Sequence, residues 1–212
     1  MKITRFVLSA VLFVFGGVVT IFAQPALQRP SVAAQTWFKI GYNFDEATNP
    51  KEIASLRTML PATPPTELVQ TMTDWEKGAV KKDEVRPHLV AYAKASGGYQ
   101  ALEVFRLGEW CSRLDNAVFE FMLGAVTGND EMWVTAMNKI MVLAAQSQGF
   151  IDALSEDAPA TVVEALRNIE TAGKKANMVD IYFGRVTIKE LFEAVLVLPD
   201  LIGVIKTAYG ME

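Results

Sequence analysis

Apolar residues in this chain follow two regimes. From Phe6 to Ala23 they run without a charge, behind Lys2 and Arg5 and ahead of Gln24-Pro25. From Thr66 onward they recur at intervals of three and four, the period of a helix that buries one face. Leu68, Met72, Trp75 and Ala79 mark one helix. Val85, Leu89, Tyr92 and Ala93 mark the next, closed by Gly97-Gly98, and the two are predicted to form a helical hairpin. Pro87 fits that second helix only in its first turn, where no backbone N–H is needed.

A central helix follows from Tyr99 to about Leu123. Leu107, Trp110, Leu114, Ala117 and Phe121 form its apolar face, widened by Val104, Cys111 and Val118. Opposite runs a polar stripe of Glu103, Arg106, Glu109, Arg113, Asn116 and Glu120, whose spacing predicts a solvated face laced with ion pairs. The competing expectation is that other helices wrap this one and make the stripe internal. Asn129-Asp130-Glu131 caps a further helix carrying Trp133, Met137, Ile140, Met141 and Ala144, to about Ser147. Asp157-Ala158-Pro159 opens another, which ends near Gly173. Between Gly173 and Val186 the period fails, and the β-prone run Met178–Gly184 has no second strand to pair with, so an ordered loop is expected. Thr187 and Glu190 then form a capping box, with Val186 and Leu191 as hydrophobic staple. That last helix is interrupted before Pro199 and resumes to about Tyr209. Glu193 and Asp200 make it a core helix rather than a membrane span.

The first 65 residues read differently. Residues 1–23 are a signal peptide or an uncleaved membrane anchor. An apolar run of this length extends roughly 27 Å at ~1.5 Å per residue, just short of a ~30 Å hydrocarbon core. No cleavage site is clean, because Ile21 would stand third before a cut after Ala23 and Gln24 third before a cut after Ala26. Lys2 and Arg5 keep the N-terminus cytoplasmic in either case. Residues 24–65 carry Pro25, Pro30, Pro50, Pro61, Pro64 and Pro65 and read as a connector. Asn49-Pro50-Lys51-Glu52 starts one short helix within it. Trp37, Phe38, Tyr42 and Phe44 crowd around Gly41, packed onto the domain or forming an interfacial belt beside a membrane.

Composition narrows the function classes. The net charge of -4 carries no basic footprint for nucleic acid. Cys111 is the single cysteine, so no intrachain disulfide forms and no lipoprotein anchor follows the apolar run. With one histidine, His88, neither a His-based zinc site nor a Glu-x-x-His di-iron pair can be assembled within one chain. Nucleotide-binding, zincin and nucleophile-elbow motifs are all missing. No catalytic residue, metal ligand or cofactor is therefore predicted. The one specific site hypothesis is Phe105-Arg106-Leu107-Gly108-Glu109-Trp110. Gly108 inside a helix costs ~1 kcal/mol; it lets a neighbouring helix approach closely, or it leaves room for a ligand beside Trp110, held by Arg106, Glu109 and Arg113.

These readings predict an all-α fold. A single bundle-like domain of about six to seven helices, residues 66–212, stands behind the connector and the N-terminal segment. They predict an exported or membrane-anchored, non-enzymatic protein of the periplasm or the outer face of the bacterial inner membrane. Its partners would be another envelope protein or a membrane complex, with the bilayer itself contacted by residues 6–23. The alternative is a periplasmic carrier or sensor of a small molecule.

Overall fold

The computed structural model describes residues 30–61, 63–154, 158–176, 185 and 187–211. The apolar N-terminal run, the Met178–Gly184 segment, Asp157 and Val186 lie outside the described residues. Everything regular among the described residues is helical, and none of these helices is long and apolar enough to cross a membrane.

The stretch expected to be a connector instead opens with a core helix, α1 (Val32–Glu46), capped by Ser31, whose side chain accepts from the Ala34 N–H. Trp37, Phe38, Ile40, Gly41, Tyr42 and Phe44 bury one broad side of α1, while Gln35, Lys39, Asn43 and Glu46 follow one another at helical spacing on its more open side. The prolines that suggested a linker mark boundaries, with Pro30 ahead of α1 and Pro50 at the first position of α2 (Pro50–Thr58). There Asn49 and Glu52 form the anticipated capping box. The aromatic cluster around Gly41 is packed inside the domain.

Helix α3 (Thr66–Glu76) buries Leu68, Met72 and Trp75. Helix α4 (Lys82–Thr127) is two arms joined at Gly97–Gly98, which leave helical geometry; Gly98 has φ +67°, a conformation that disfavours a side chain. The arms fold back on each other, so that Arg86 and Glu109, equidistant from the glycine pair in sequence, meet in an ion pair. Pro87 lies inside the first arm rather than in its first turn, because that helix already begins at Lys82. One backbone hydrogen bond of the arm is forgone there.

The remaining elements are α5 (Asp130–Ala145), α6 (Ser147–Leu154), α7 (Ala160–Lys175), α8 (Ile188–Leu196) and α9 (Leu198–Ala208). Asn129 caps α5 and the Thr187/Glu190 box caps α8. Pro199 sits in the first turn of α9, where the chain breaks from α8. Helices α4 and α5 form an antiparallel pair, tied at one end by Glu120 to Lys139 (2.6 Å) and at the other by Trp110 Nε1 to the Leu143 carbonyl (2.8 Å).

The tightest contact is between α1 and the second arm of α4, which run parallel. A methyl group on Gly41 would stand 2.0 Å from the Phe105 carbonyl oxygen, and one on Gly108 would stand 2.2 Å from the Phe38 carbonyl oxygen. Gly108 therefore serves close helix approach, and the α1 backbone fills the space in which a ligand was the other expectation. Around this crossing Trp37 packs on Tyr92 and Phe105, while Phe38 stacks on Tyr209 at 4.5 Å. One continuous apolar core extends from there to Phe121 and Phe192. Gly108→Ala is expected to lower the unfolding free energy by at least about 2 kcal/mol, because backbone rather than a movable side chain blocks the new methyl. Urea unfolding followed by circular dichroism measures it; a loss below 0.5 kcal/mol, the scale of an ordinary surface substitution, would mean that the crossing is looser than described.

Candidate functional site

The last turn of α1 delivers Asp45 and Glu46 to the point where the two arms of α4 face each other. Glu109, with only 2% of its surface exposed, accepts a bidentate pair of hydrogen bonds from Arg86, both 2.7 Å. Arg113 Nε donates to Asp45 at 3.0 Å, and the Ser112 hydroxyl lies 3.0 Å from Asp45 Oδ2 and 2.8 Å from Glu46 Oε1. Asn116 donates to the same Glu46 oxygen at 3.0 Å. Helix α1 has no basic residue in its own last turn, and Lys82 from α4 supplies one by donating to the Asp45 carbonyl. That amine also sits over the Phe44 ring. Burial holds the Lys82 ammonium below its ordinary range, against the pull of Asp45; the hydrogen bonds that Arg86 gives to Glu109 raise it further.

Two carboxylates thus pair with two guanidinium groups, Glu109 with Arg86 and Asp45 with Arg113, while Glu46 is held by Ser112 and Asn116 and Lys82 by a backbone carbonyl, across α1 and both arms of α4. The polar stripe is no solvated face at Glu103 and Glu109, which are 6% and 2% exposed. Spacing along one helix shows which residues share a side but not what covers that side. At Glu109 it is α1 and the first arm of α4 that do so.

Beside this network lies a smaller one. Tyr42 donates to Asp115 Oδ2 at 2.6 Å, and Lys206 of α9 reaches both the Tyr42 hydroxyl and that carboxylate oxygen at 3.0 Å. Burial first, and the Asp115 hydrogen bond second, push the Tyr42 hydroxyl far above its ordinary value, so it stays protonated as a donor. The cluster ties α1, α4 and α9 together.

Of the four residues predicted to hold a ligand, Glu109 and Arg113 join the main network. Arg106 stands apart, paired with Glu103 at 2.7 Å. Trp110 is 3% exposed, its indole N–H is used by Leu143, and its ring packs on Phe150. Of the four, only Arg113 lines either of the two grooves described below. Cys111 is fully buried, with its thiol pushed far up by burial. His88 stands 3.8 Å from Glu67 on a partly open surface. Among the described residues no three His, Cys, Asp or Glu side chains cluster in a way that could hold a metal ion.

Two surface features complete the site. A shallow groove of about 660 Å³ runs between α4 and α5, with Ala117, Val142 and Leu143 among its walls. Its charged groups are already matched, Arg113 with Asp45 and Glu120 with Lys139. Next to it on α4, Phe119, Leu123 and Val126 are 66%, 42% and 59% exposed, and Val142 across the groove is 63% exposed. Phe119, Leu123 and Val126 fall at i, i+4 and i+7, a second apolar stripe turned away from the Leu114–Phe121 face. That spacing is legible in the sequence, but there it merges with the apolar positions of the core. A second groove, of about 610 Å³, separates α7 from α8 and α9. No known protein family, characterised protein or solved structure matches the chain.

Arg86→Ala leaves the Glu109 carboxylate buried without its bidentate partner, and is expected to cost about 2–4 kcal/mol in urea unfolding. Adding Glu109→Gln to that variant should restore part of the loss. A double variant no more stable than Arg86→Ala alone would show that the buried charge is not the cause.

Alkaline pH gives a second test. Tyr42, Tyr209 and Cys111 all keep their protons in the fold well above the values of the unfolded chain, ~10 for a phenol and ~8.5 for a thiol, chiefly through burial. Their contribution to stability is fully present below the unfolded values and is lost as pH rises toward the folded ones. Unfolding free energy should be flat from about pH 7 to 8. It should then fall above ~8.5 and more steeply above ~10, by ~1.4 kcal/mol per pH unit for each group involved. Constant stability up to about pH 10.5 would contradict this.

Proposed function

We propose that this protein is a non-enzymatic accessory subunit of the bacterial cell envelope. In this reading residues 6–23 export it to the periplasm or hold it at the outer face of the inner membrane, and the outward face of α4 docks a protein partner. The observation that carries the reading is the exposed stripe Phe119–Leu123–Val126 beside the groove with Val142. A helical row of exposed apolar side chains beside a groove is the kind of surface that marks protein contact sites. The charged groups of the groove are paired, Arg113 with Asp45 and Glu120 with Lys139, and Asn116 donates to Glu46, which favours a protein contact over capture of a charged small molecule.

The placement of the face suits such a role. Because α1 runs parallel to the second arm of α4, its start lies at the Gly97–Gly98 end of the bundle, where Val32 and Tyr99 are 79% and 63% exposed. Residues 24–29 reach at most about 20 Å when extended, so an anchor would keep that end close to the bilayer. From Tyr99 to Val126 the helix rises about 40 Å at ~1.5 Å per residue. The apolar stripe would thus be displayed away from the membrane, toward other envelope proteins.

Native mass spectrometry of the protein extracted gently from its host envelope tests this. The expected result is the whole or processed chain carried in an assembly with further polypeptide. A solitary chain would overturn the docking reading, and excess mass of small-molecule size would replace it with the carrier.

A further inference from the structure

We infer that Gly97–Gly98 is a hinge at which this chain exchanges its N-terminal half, residues 30–96, with a second copy, the folded-back arms of α4 opening into one continuous helix. The first argument is the corner itself. Gly98 stands at φ +67° and ψ -157°, a region essentially closed to other residues, and a methyl group on Gly97 would lie 2.6 Å from the Ala101 Cβ. Helical turns reach the pair from both sides, so these two residues alone separate the closed corner from a straight helix of 46 residues. Glycine is unfavourable inside a helix, which biases the chain toward the closed form.

The second argument is register. Arg86 and Glu109 are equidistant from the glycine pair, and so are Lys82 and Arg113, which reach the same residue, Asp45, at its carbonyl and its carboxylate. Residues so placed face each other in a folded-back hairpin. They face each other equally when two straight helices lie antiparallel about a two-fold axis at the glycines, so opening rebuilds the same contacts between copies. Helices α1, α2, α3 and the first arm of α4 hold together through Trp37 with Tyr92, Phe44 with Trp75 and Arg57 with Glu76, and they move as one unit. Gly41 against Phe105, Tyr42 on Asp115 and Phe38 on Tyr209 then join that unit to the second half of either copy. Only another copy of this chain carries that complementary half, which fixes the partner. At the hinge end Val32 and Tyr99 are 79% and 63% exposed, and exchange sets the two lobes end to end there. Lys94 is the one charged residue among 30–36 and 91–102, so the abutting ends bring no acidic groups together. The stripe Phe119–Leu123–Val126 stays open at the far end of each lobe; a closed chain presents it once and an exchanged pair twice.

The test follows the full-length chain, refolded from urea into mild detergent, by size-exclusion chromatography with light scattering. Gly97→Ala/Gly98→Ala strains the corner and favours the straight helix, so the share of two-chain species is expected to rise at least about tenfold over that of the unaltered chain. A variant that refolds as a monomer of unchanged helix content overturns the hinge. Charge reversal gives a test that keeps the glycines. In Arg86→Glu and in Glu109→Arg, like charges face each other whether a chain is closed or exchanged with its own kind. An exchanged pair of one chain of each kind sets the two reversed residues against one another in one lobe and the native Arg86 and Glu109 against one another in the other. Refolded together, the two chains are expected to give a mixed dimer in native mass spectrometry at least about tenfold above the dimer that either gives alone. Dimers formed equally by each chain alone, or no mixed species, overturn exchange.

Discussion

The backbone contact between α1 and the second arm of α4 sets the position of nearly everything else. With Gly41 against Phe105 and Gly108 against Phe38, the two helices meet where a methyl group on either glycine would collide with a carbonyl oxygen. Such an approach leaves one register, because sliding either helix by a residue brings a side chain into the gap. In that register Trp37 and Phe44 lie on Phe105, Tyr42 reaches Asp115, and Asp45 and Glu46 arrive opposite Ser112, Arg113 and Asn116. Tight dispersion contacts and complete exclusion of water follow from the same geometry.

The buried charges are better understood as a consequence of that crossing than as the source of stability. Moving carboxylates and guanidinium groups out of water costs several kcal/mol per ion, and the attraction regained depends on geometry. Here the geometry is favourable, with a bidentate Arg86–Glu109 pair, a lysine on the carbonyl end of α1, and hydroxyl and amide donors on the remaining carboxylate oxygens. What the arrangement adds is specificity. Glu109, the most deeply buried of these ions, is matched only when the first arm of α4 folds back to bring Arg86 to it.

The same accounting separates the inner face of α4 from its outer one. Along the second arm every polar group of the inner network has a partner supplied by the fold, so that side of the helix is saturated. The outer stripe has apolar side chains and no partner among the described residues, and the charges beside it are already spent on each other. A helix with two apolar sides, one enclosed and one open, is the physical basis for reading this protein as part of a larger assembly.

Much of this was readable from the residues alone. The all-helical class follows from period and capping, and Asn49…Glu52, Asn129 and Thr187…Glu190 start helices where their side chains predict, since caps are local chemistry that neighbouring elements do not alter. Gly97–Gly98 likewise ends a helix by its own backbone freedom. Other features had no local signature. Helix α1 was masked by the prolines on either side of it, which mark boundaries in the fold but read locally as a linker. Glu109 looked solvated because its cover comes from Arg86 and from the end of α1, distant in sequence. Trp110 looked like the wall of a pocket until Leu143 and Phe150 filled it. Local hydrogen bonding and periodicity are properties of a short stretch, and the sequence determined them; which polar side is covered, which glycine is crowded and which apolar stripe stays open are properties of pairs of elements, and only the tertiary structure decided those.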